Sequence, residues 1–376
     1  MKNITSNDAI LSIKKIEKLI QGCDFFGKCT AEEISGKLCG FLKESTRDLA
    51  SNLNFNVKFS KLRSISSRFH TQLTLIRTDG NSITFELPLE WLLMNSRDDI
   101  RIFFKKIVPI IPLLSRLAPF RLLSFVFEIG DNGYLPSVSF CSKNSYSCLI
   151  YDYDFFASGG HQSYRHHCDT NSIAWEDKSN IVFWRGQTTG QRQSLPNNTI
   201  PTENFRWLQR LWLCDVASNS KHRGNCDIGI TGFVQIPEEH YKSAIIQRGF
   251  LKEHVGKELF LKKRYIIDID GNSNTWSALF TGLLSGASVM KVASQHSYRQ
   301  WYYKKLIPFV NFIPIAHDFS DFDEALDWAF SEFLLTKEIA EGGNQLAKEI
   351  TFESALIEST DNLNRWLNGN FSNSFN

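Results

Sequence analysis

The stretch Tyr265–Trp276, YIIDIDGNSNTW, runs from apolar residues through two acids into a cluster of small polar residues. Tyr265–Asp270 is predicted to be a buried strand, because apolar and β-branched residues dominate it. Gly271 permits the tight turn that follows, and Asn274 or Thr275 is suited to cap a helix. The stretch therefore predicts a strand that leads into a helix, whose N-terminus attracts phosphate.

Asp268 and Asp270 have the Asp-x-Asp form with which many sugar transferases hold a divalent metal. Because they stand two positions apart in a strand, their side chains face the same side. Asp270 is equally suited to a turn, and Asp268 to an ion pair with Lys262 or Arg264. The sequence offers no third ligand, so a metal site and a pair of structural acids are both open at this point.

Strand and helix patterns alternate on both sides of this stretch. The predicted elements are the strand Ile181–Trp184, the helix Thr275–Ser285, the strand Ser288–Ala293, the helix Ser297–Leu306, the strand Val310–Ile315, and helices over 321–334 and 336–368. This alternation indicates a parallel sheet covered by helices. Such a sheet binds ligands beyond the carboxyl ends of its strands, where polar stretches would line one cleft if they converge. These stretches are Glu128–Gly133, Arg185–Gly190, Asp268–Trp276 and Ala293–Gln300.

The N-terminal part of the chain has other patterns. Its opening residues look helical, and Thr30–Glu33 has the form of a capping box. His70–Arg77 and Ser82–Leu87 alternate apolar and polar residues on either side of a turn, which indicates a β-hairpin. Strands are also predicted at Arg121–Gly130 and Ser137–Cys141.

The length of 376 residues favours two domains, since one core rarely grows beyond about 300 residues. We place an N-terminal, acceptor-side domain at 1–175, a donor domain at 176–345, and a C-terminal helix with a frayed tail at 346–376. The polar segment 157–180 is interpreted as a connection or an acceptor-side loop.

Charge and hydropathy exclude some classes of protein. The net charge of +2 gives no global argument for nucleic-acid binding. The N-terminus shows no apolar core of signal-peptide length, and prolines and arginines interrupt the most apolar run, Ile107–Phe127. We expect an intracellular protein whose membrane contact, through Lys105–Lys106 or Lys262–Arg264, is peripheral.

Two further stretches are suited to chemistry. In Trp184–Gly190, WRGQTTG, the glycines and hydroxyls after a strand would suit phosphate, and Arg185 would add charge-assisted bonds. The alternative is a strand-capping loop in which Arg185 forms a structural ion pair. Asp131, at the end of a buried strand, is suited to take a proton from a hydroxyl, or simply to form a turn.

Taken in order, several motifs resemble glycosyltransferase family 90. They are WRG at 184–186, YIIDIDGNSNTWSALFTGLLSGASVMKV at 265–292, RQWYYKKLIPFVNFIPI at 299–315 and HDFSDFDEAL at 317–326. This family contains fungal capsule-associated proteins, Rumi-type protein O-glucosyltransferases and bacterial lipopolysaccharide-modifying transferases. The resemblance covers about 120–350, and the short form of the chain is most similar to the bacterial members.

The resemblance implies an α/β, GT-B-like architecture, in which two Rossmann-like domains face a central cleft. It implies inverting transfer of a hexosyl or pentosyl group from a UDP-sugar to a hydroxyl, without a metal or another cofactor. Asp131, within FEIGDNGYLPSVSFCSK, matches the position of the general base. The residues assigned to donor binding are Arg185, Gly186, Thr188, Thr189, Arg192, Lys262, Tyr265, Asp270, Gly271, Asn272, Ser273, Asn274, Trp276 and Arg299.

The chain departs from the family pattern at two positions. Ser277 stands where many eukaryotic members have an arginine, and Asp270 stands where Rumi-type members have one. We therefore expect Arg185, Arg192, Lys262 or Arg299 to neutralise the donor diphosphate, and the sugar is left open.

The expected partners are a nucleotide-sugar donor and a glycan or lipid-linked glycan, such as lipopolysaccharide or capsule, at the inner face of the cytoplasmic membrane. Nucleic acid is not an expected partner. One alternative is a metal-dependent transferase that uses Asp268 and Asp270. Another is a carbohydrate-binding protein of the same fold without turnover, which the missing arginines motivate. A weaker alternative is a different GT-B-like enzyme, such as a sugar epimerase.

Overall fold

The computed structural model describes residues 4–21, 30–60, 73–89, 101, 104–117, 122–130, 136–195 and 200–369. The chain forms two compact units. The first contains 1–162, 299–302 and 351–376, and the second contains 163–298 and 303–350. These limits differ from the predicted domain limits at 175 and 345, and they group the C-terminal helix with the first unit.

The first unit contains a six-stranded mixed sheet with the strand order β1-β3-β2-β4-β5-β7. Its elements are α1 Ser6–Gln21, α2 Ala31–Ser45, β1 Asn54–Ser60, β2 Leu73–Asp79, β3 Ser82–Pro88, α3 Ile111–Arg116, β4 Leu123–Glu128, β5 Val138–Ser139, β6 Cys141–Ser142, β7 Cys148–Leu149, α4 Tyr153–Ala157, β12 Arg299–Gln300 and α11 Phe352–Leu367. β2 is antiparallel to both of its neighbours, so this sheet differs from a wholly parallel Rossmann sheet.

Local signals in the first unit are confirmed. Thr30 and Glu33 form the predicted capping box at the start of α2. β2 and β3 form the predicted antiparallel hairpin, whose turn includes Gly80 with a φ of 54°. Glycine adopts such a positive φ without the steric penalty of a side chain.

The second unit is built on a five-stranded sheet with the order β13-β11-β10-β8-β9. Its elements are α5 Gln162–Thr170, β8 Ser179–Gln187, α6 Gln209–Asn219, β9 Cys226–Gly232, α7 Glu239–Gln247, β10 Lys263–Asp268, α8 Ser277–Leu284, β11 Ser288–Val292, β13 Ile313–Ile315, α9 Phe322–Ser331 and α10 Phe333–Glu349. Every neighbouring pair in this sheet is parallel. The predicted α/β class is confirmed, with a Rossmann-like sheet in the region predicted to bind the donor.

The strand order of this sheet reverses direction between β8 and β10. Counted along the chain from β8, the order is 2-1-3-4-5, which is one of the two common doubly wound arrangements. In this arrangement the connections from the first and third strands leave in opposite directions, and a crevice opens between their carboxyl ends. The topology therefore predicts a ligand site at the loops after β8 and β10.

Three predicted elements differ from the structure. Ser297–Leu306 is not a helix, because Ser297 has a φ of 59° and Arg299–Gln300 pair antiparallel with β6. The predicted helix over 336–368 is two helices, α10 and α11, separated by residues 350–351. The segment 157–180, interpreted as a loop, contains α5.

Among the residues that the structure describes, no helix is both long enough and apolar enough to cross a bilayer.

A substitution at Tyr265 tests how the side chains of this sheet are held against α9. The Tyr265 side chain is buried in β10, and its hydroxyl donates a hydrogen bond to the Ala329 carbonyl at 2.8 Å. We expect Tyr265→Phe to lower the free energy of unfolding by about 1–2 kcal/mol, because the buried carbonyl loses its donor. Thermal denaturation measures this loss, with Tyr146→Phe at an exposed tyrosine as the control. Unchanged stability would show that the Tyr265 hydroxyl has no structural role.

Candidate functional site

The candidate site lies at the carboxyl edge of the second unit's sheet. β8 and β10 are parallel neighbours there, and the loops that follow them are Thr188–Arg192 and Ile269–Trp276. The backbone N–H of Gly190 donates to the Asn272 side-chain oxygen at 3.1 Å, so the two loops are in direct contact. Two stretches that the sequence singled out separately are therefore one structural feature.

Arg210, near the start of α6, connects these loops. Its guanidinium donates to the carbonyls of Asp270, Gln187 and Ile269 at 2.9, 3.1 and 3.3 Å, and to the Thr189 hydroxyl at 2.7 Å. Burial lowers the pKa of Arg210 to about 10, so it is still charged at neutral pH. One partly buried cation thus holds the backbone of both loops.

Gly271 is required by this arrangement. A Cβ at this position would lie 2.8 Å from the Thr189 hydroxyl oxygen and 2.9 Å from a terminal nitrogen of Arg210. Contacts this short force neighbouring atoms to move. The glycine therefore lets the loop after β10 approach Arg210 closely enough to be held.

Asp268 is a structural acid. It is 2% exposed, one carboxylate oxygen accepts a bond from Lys291 at 2.8 Å, and the other accepts from the Thr275 hydroxyl. The Lys291 ammonium also lies 4.6 Å from the centre of the Tyr303 ring. Within the described part of the chain, no three side chains of His, Cys, Asp or Glu are grouped as a metal site requires.

Asp270 has a different environment, although it is only two residues away. It is 8% exposed, and neither carboxylate oxygen has a hydrogen-bond partner among the described residues. Burial raises its pKa to about 6, opposed mainly by the charge of Lys291. Ser294 is near enough to lower the pKa, but its hydroxyl does not meet the geometry of a hydrogen bond. Asp270 lines a small pocket together with Gln191, Gln295 and other polar residues.

A cation lies at the first residue of α8, where the sequence lacks the arginine of many relatives. Lys257 donates from its ammonium to the Ser277 hydroxyl at 2.7 Å. Lys257 begins the 3-10 helix Lys257–Lys262, some 20 residues before Ser277 in the chain. Its charge therefore lies at the helix N-terminus, although Lys257 belongs to another segment. The N-cap residue of this helix, Trp276, has a strained φ of 52°.

The predicted helix cap is wrong in detail. The Asn274 side-chain oxygen accepts from the Trp276 backbone at 2.9 Å, while the Thr275 hydroxyl donates to Asp268, so neither caps α8 itself. Ser273 is 1% exposed, and its hydroxyl has no partner among the described residues. The loop is therefore held by the Asn274–Trp276 bond within it and by bonds to Asp268 and Arg210 outside it.

Three other predicted donor residues make structural contacts. The Arg185 guanidinium pairs with the Asp227 carboxylate at 2.6 Å, and Arg192 pairs with Glu238 at 2.8 Å. The Thr188 hydroxyl donates to the Val234 carbonyl at 2.7 Å. Gly186, the second-last residue of β8, packs against the Trp184 ring, and a Cβ at this position would lie 2.5 Å from a ring carbon. These residues shape the loop after β8, and donor contact by any of them stays a prediction.

Two of the remaining predicted residues, Lys262 and Tyr265, do not lie at this edge. Lys262 immediately precedes β10 and so lies at the amino edge of the sheet, a strand length of about 17–20 Å from the loops. Tyr265 lies within the strand, in the core. Arg299 belongs to the first unit, where it pairs with Ser142 of β6. Asp131 lies outside the described residues.

Sequence reasoning missed Arg210, Lys257 and Lys291. Arg210 lies in the largely apolar stretch RWLQRLWLC at 206–214, for which the sequence analysis proposed no element, and a charged residue among apolar ones was a usable signal there. Lys291 was another, as the charged residue in the buried strand SVMKV. For Lys257 no local pattern exists, because its role depends on a contact with a distant residue.

The chain matches a known protein family. The model of glycosyl transferase family 90 matches residues 131–354, which is more than half of the chain and includes both loops. The chain belongs to glycosyltransferase family 90.

The chain is also similar to two individual proteins. It is 29% identical over 174 residues to protein O-glucosyltransferase 2 of Danio rerio, covering 46% of this chain and 29% of that protein. It is 24% identical over 210 residues to uncharacterized protein 179R of Invertebrate iridescent virus 6, covering 52% of this chain and 17% of that protein. The chain thus spans less than a third of the length of either relative.

Two solved structures have weaker similarity. Anabaena Alr3699/HepE, crystallised in complex with UDP-glucose, is 13% identical, with a TM-score of 0.33 over 50% of this chain and 49% of that chain. A GtfA/B complex is 13% identical, with a TM-score of 0.32 over 51% of this chain and 37% of that chain.

The contacts of Arg210 lead to a prediction. We expect Arg210→Lys to lower the free energy of unfolding by about 2–4 kcal/mol, because one ammonium cannot replace four guanidinium bonds to two loops. Chemical denaturation measures the change. Arg206→Lys, at an exposed arginine beside Trp212, is the matched control and should change stability by less than about 1 kcal/mol. Equal effects of the two substitutions would contradict the role given to Arg210.

Proposed function

We propose that this protein is an inverting glycosyltransferase that moves a sugar from a UDP-sugar to a hydroxyl of a glycan acceptor. The observation that carries the proposal is the joined pair of loops after β8 and β10, at the switch point of a parallel sheet in a member of glycosyltransferase family 90. Nucleotides commonly bind to doubly wound sheets at this point.

The leaving diphosphate is stabilised at the start of α8. Free backbone N–H groups at a helix N-terminus favour an anion, and the Lys257 ammonium beside Ser277 adds a full positive charge. Charge that develops on the UDP oxygen is thereby met by groups already in place, which lowers the barrier to bond breaking. In this proposal Lys257 neutralises the donor diphosphate, which the sequence analysis expected Arg185, Arg192, Lys262 or Arg299 to do.

Asp131 is the general base. It follows β4 by three residues in the chain, within the sequence that resembles the family's base motif. As a carboxylate it removes the proton from the acceptor hydroxyl while that oxygen attacks the anomeric carbon, and the bond to UDP breaks on the opposite face. One displacement of this kind inverts the anomeric configuration.

Metal independence is supported by the environment of Asp268. An ammonium and a hydroxyl already occupy both of its carboxylate oxygens. For Asp268 and Asp270 to chelate one cation, the buried pair with Lys291 would have to break, and breaking such a pair is costly.

The acceptor and location follow from similarity to the bacterial members described above. We propose a lipopolysaccharide or capsule glycan as the acceptor, and action in the cytoplasm at the inner face of the membrane. The transferred sugar is a hexose or pentose.

Asp131→Asn tests the base. We expect the rate of UDP release from a UDP-sugar in the presence of deacylated lipopolysaccharide to fall by about 10²–10⁴-fold, because the amide cannot take the proton. UDP affinity and the melting temperature should stay at wild-type values, which separates lost chemistry from lost folding. A variant that folds, binds UDP and turns over at the wild-type rate would contradict the assignment.

Removal of metal ions by chelation tests whether the transfer reaction requires a divalent cation. After exhaustive treatment with EDTA, transfer should proceed at the untreated rate, because Lys257 and the helix N-terminus neutralise the diphosphate. The metal-dependent alternative predicts activity that is abolished by EDTA and restored by Mn²⁺. That result would reverse the roles given to Asp268 and Asp270.

A further inference from the structure

Asp270 is a buried acid that the proposed reaction has not used. In Asp268, two residues earlier at the end of β10, each carboxylate oxygen accepts a hydrogen bond. Asp270 is almost as deeply buried and has none among the described residues. A buried charge without hydrogen bonds is costly, so a ligand that supplies donors would gain a strong interaction.

Three donor side chains close to this pocket, those of Arg210, Gln191 and Gln209, direct their hydrogen bonds to other groups. Arg210 directs its guanidinium to backbone carbonyls, including that of Asp270, and to Thr189 rather than to the carboxylate. The amide nitrogens of Gln191 and Gln209, which line the same pocket, donate to the Tyr298 hydroxyl at 2.9 Å and to the His317 carbonyl at 2.9 Å. The carboxylate oxygens are buried in the wall of this small pocket, so a ligand reaches them only when the surrounding loop residues move to admit it.

The charge of Asp270 restricts which part of a donor it can meet. A carboxylate repels a diphosphate, so the phosphate groups cannot be its ligand. Two hydroxyls on adjacent carbons can each donate to one carboxylate oxygen, and charge-assisted bonds of this kind are about twice as strong as neutral ones. The polar lining of Gln191, Gln295 and His296 suits a hydroxylated ligand rather than an apolar one.

We propose that the Asp270 carboxylate accepts hydrogen bonds from a pair of neighbouring hydroxyls on the nucleotide-sugar donor. The inference rests on the proposed function and divides the donor site by charge. The diphosphate lies toward Lys257 and the start of α8, and the uncharged hydroxyls lie in the pocket of Asp270. The hydroxyls belong either to the ribose or to the transferred sugar.

The test is calorimetric titration of wild type and Asp270→Asn with UDP and with UDP-glucose. The variant keeps the shape of the side chain and removes the charge. We expect its Kd for UDP-glucose to rise about 10–100-fold. An equal loss for UDP would assign the hydroxyls to the ribose, and a loss confined to UDP-glucose would assign them to the transferred sugar. Either result supports the proposal.

Two further variants serve as controls for this titration. Asp327→Asn, at an exposed acid of α9 that pairs with Lys221, should leave both affinities unchanged. Asp270→Ser, which also lacks the charge but is smaller, should show the same loss as Asp270→Asn and serves if that variant does not fold. Affinities of a folded Asp270 variant within twofold of wild type for both ligands would overturn the inference alone. Wild-type protein that binds neither UDP nor any UDP-sugar would overturn the proposed function and this inference with it.

Discussion

The hydrogen bonds of one partly buried guanidinium hold the candidate site together. Arg210 joins carbonyls and a hydroxyl from the loops after β8 and β10. Carbonyls at the ends of two strands thereby gain a charged donor. Because Gly271 has no side chain, the second loop comes close enough for these bonds to form.

This arrangement explains why two acids of one short motif have different roles. Asp268 ends β10 with its side chain toward Lys291 of the neighbouring β11, so it belongs to the sheet. Asp270 belongs to the turn, where its backbone carbonyl is bound by Arg210 and its carboxylate is left toward the pocket. The main chain of Asp270 therefore contributes to the fold of the loop, while its carboxylate has no hydrogen-bond partner among the described residues.

Sequence patterns predicted the parallel sheet and the position of its ligand-binding edge, because strand periodicity and the glycine-led turn are local signals. They failed at Ser297–Leu306, where aromatic residues suited to a helix are instead held next to a short strand by pairing with β6. The sequence also did not reveal the ion-pair partners of two predicted donor cations. Arg185 and Arg192 look available in the sequence but pair with Asp227 and Glu238, which are distant in the chain. Lys257 becomes relevant only through its contact with Ser277.

The central claim is that the donor binds at the carboxyl edge of the second unit's sheet, between β8 and β10. Hydrogen–deuterium exchange of the whole protein with and without UDP-glucose measures this directly, because each backbone segment reports separately. The account predicts slower exchange in residues 187–192 and 269–277, with residues 168–178 at the opposite edge unchanged. Protection at 168–178, with none in the two loops, would contradict it.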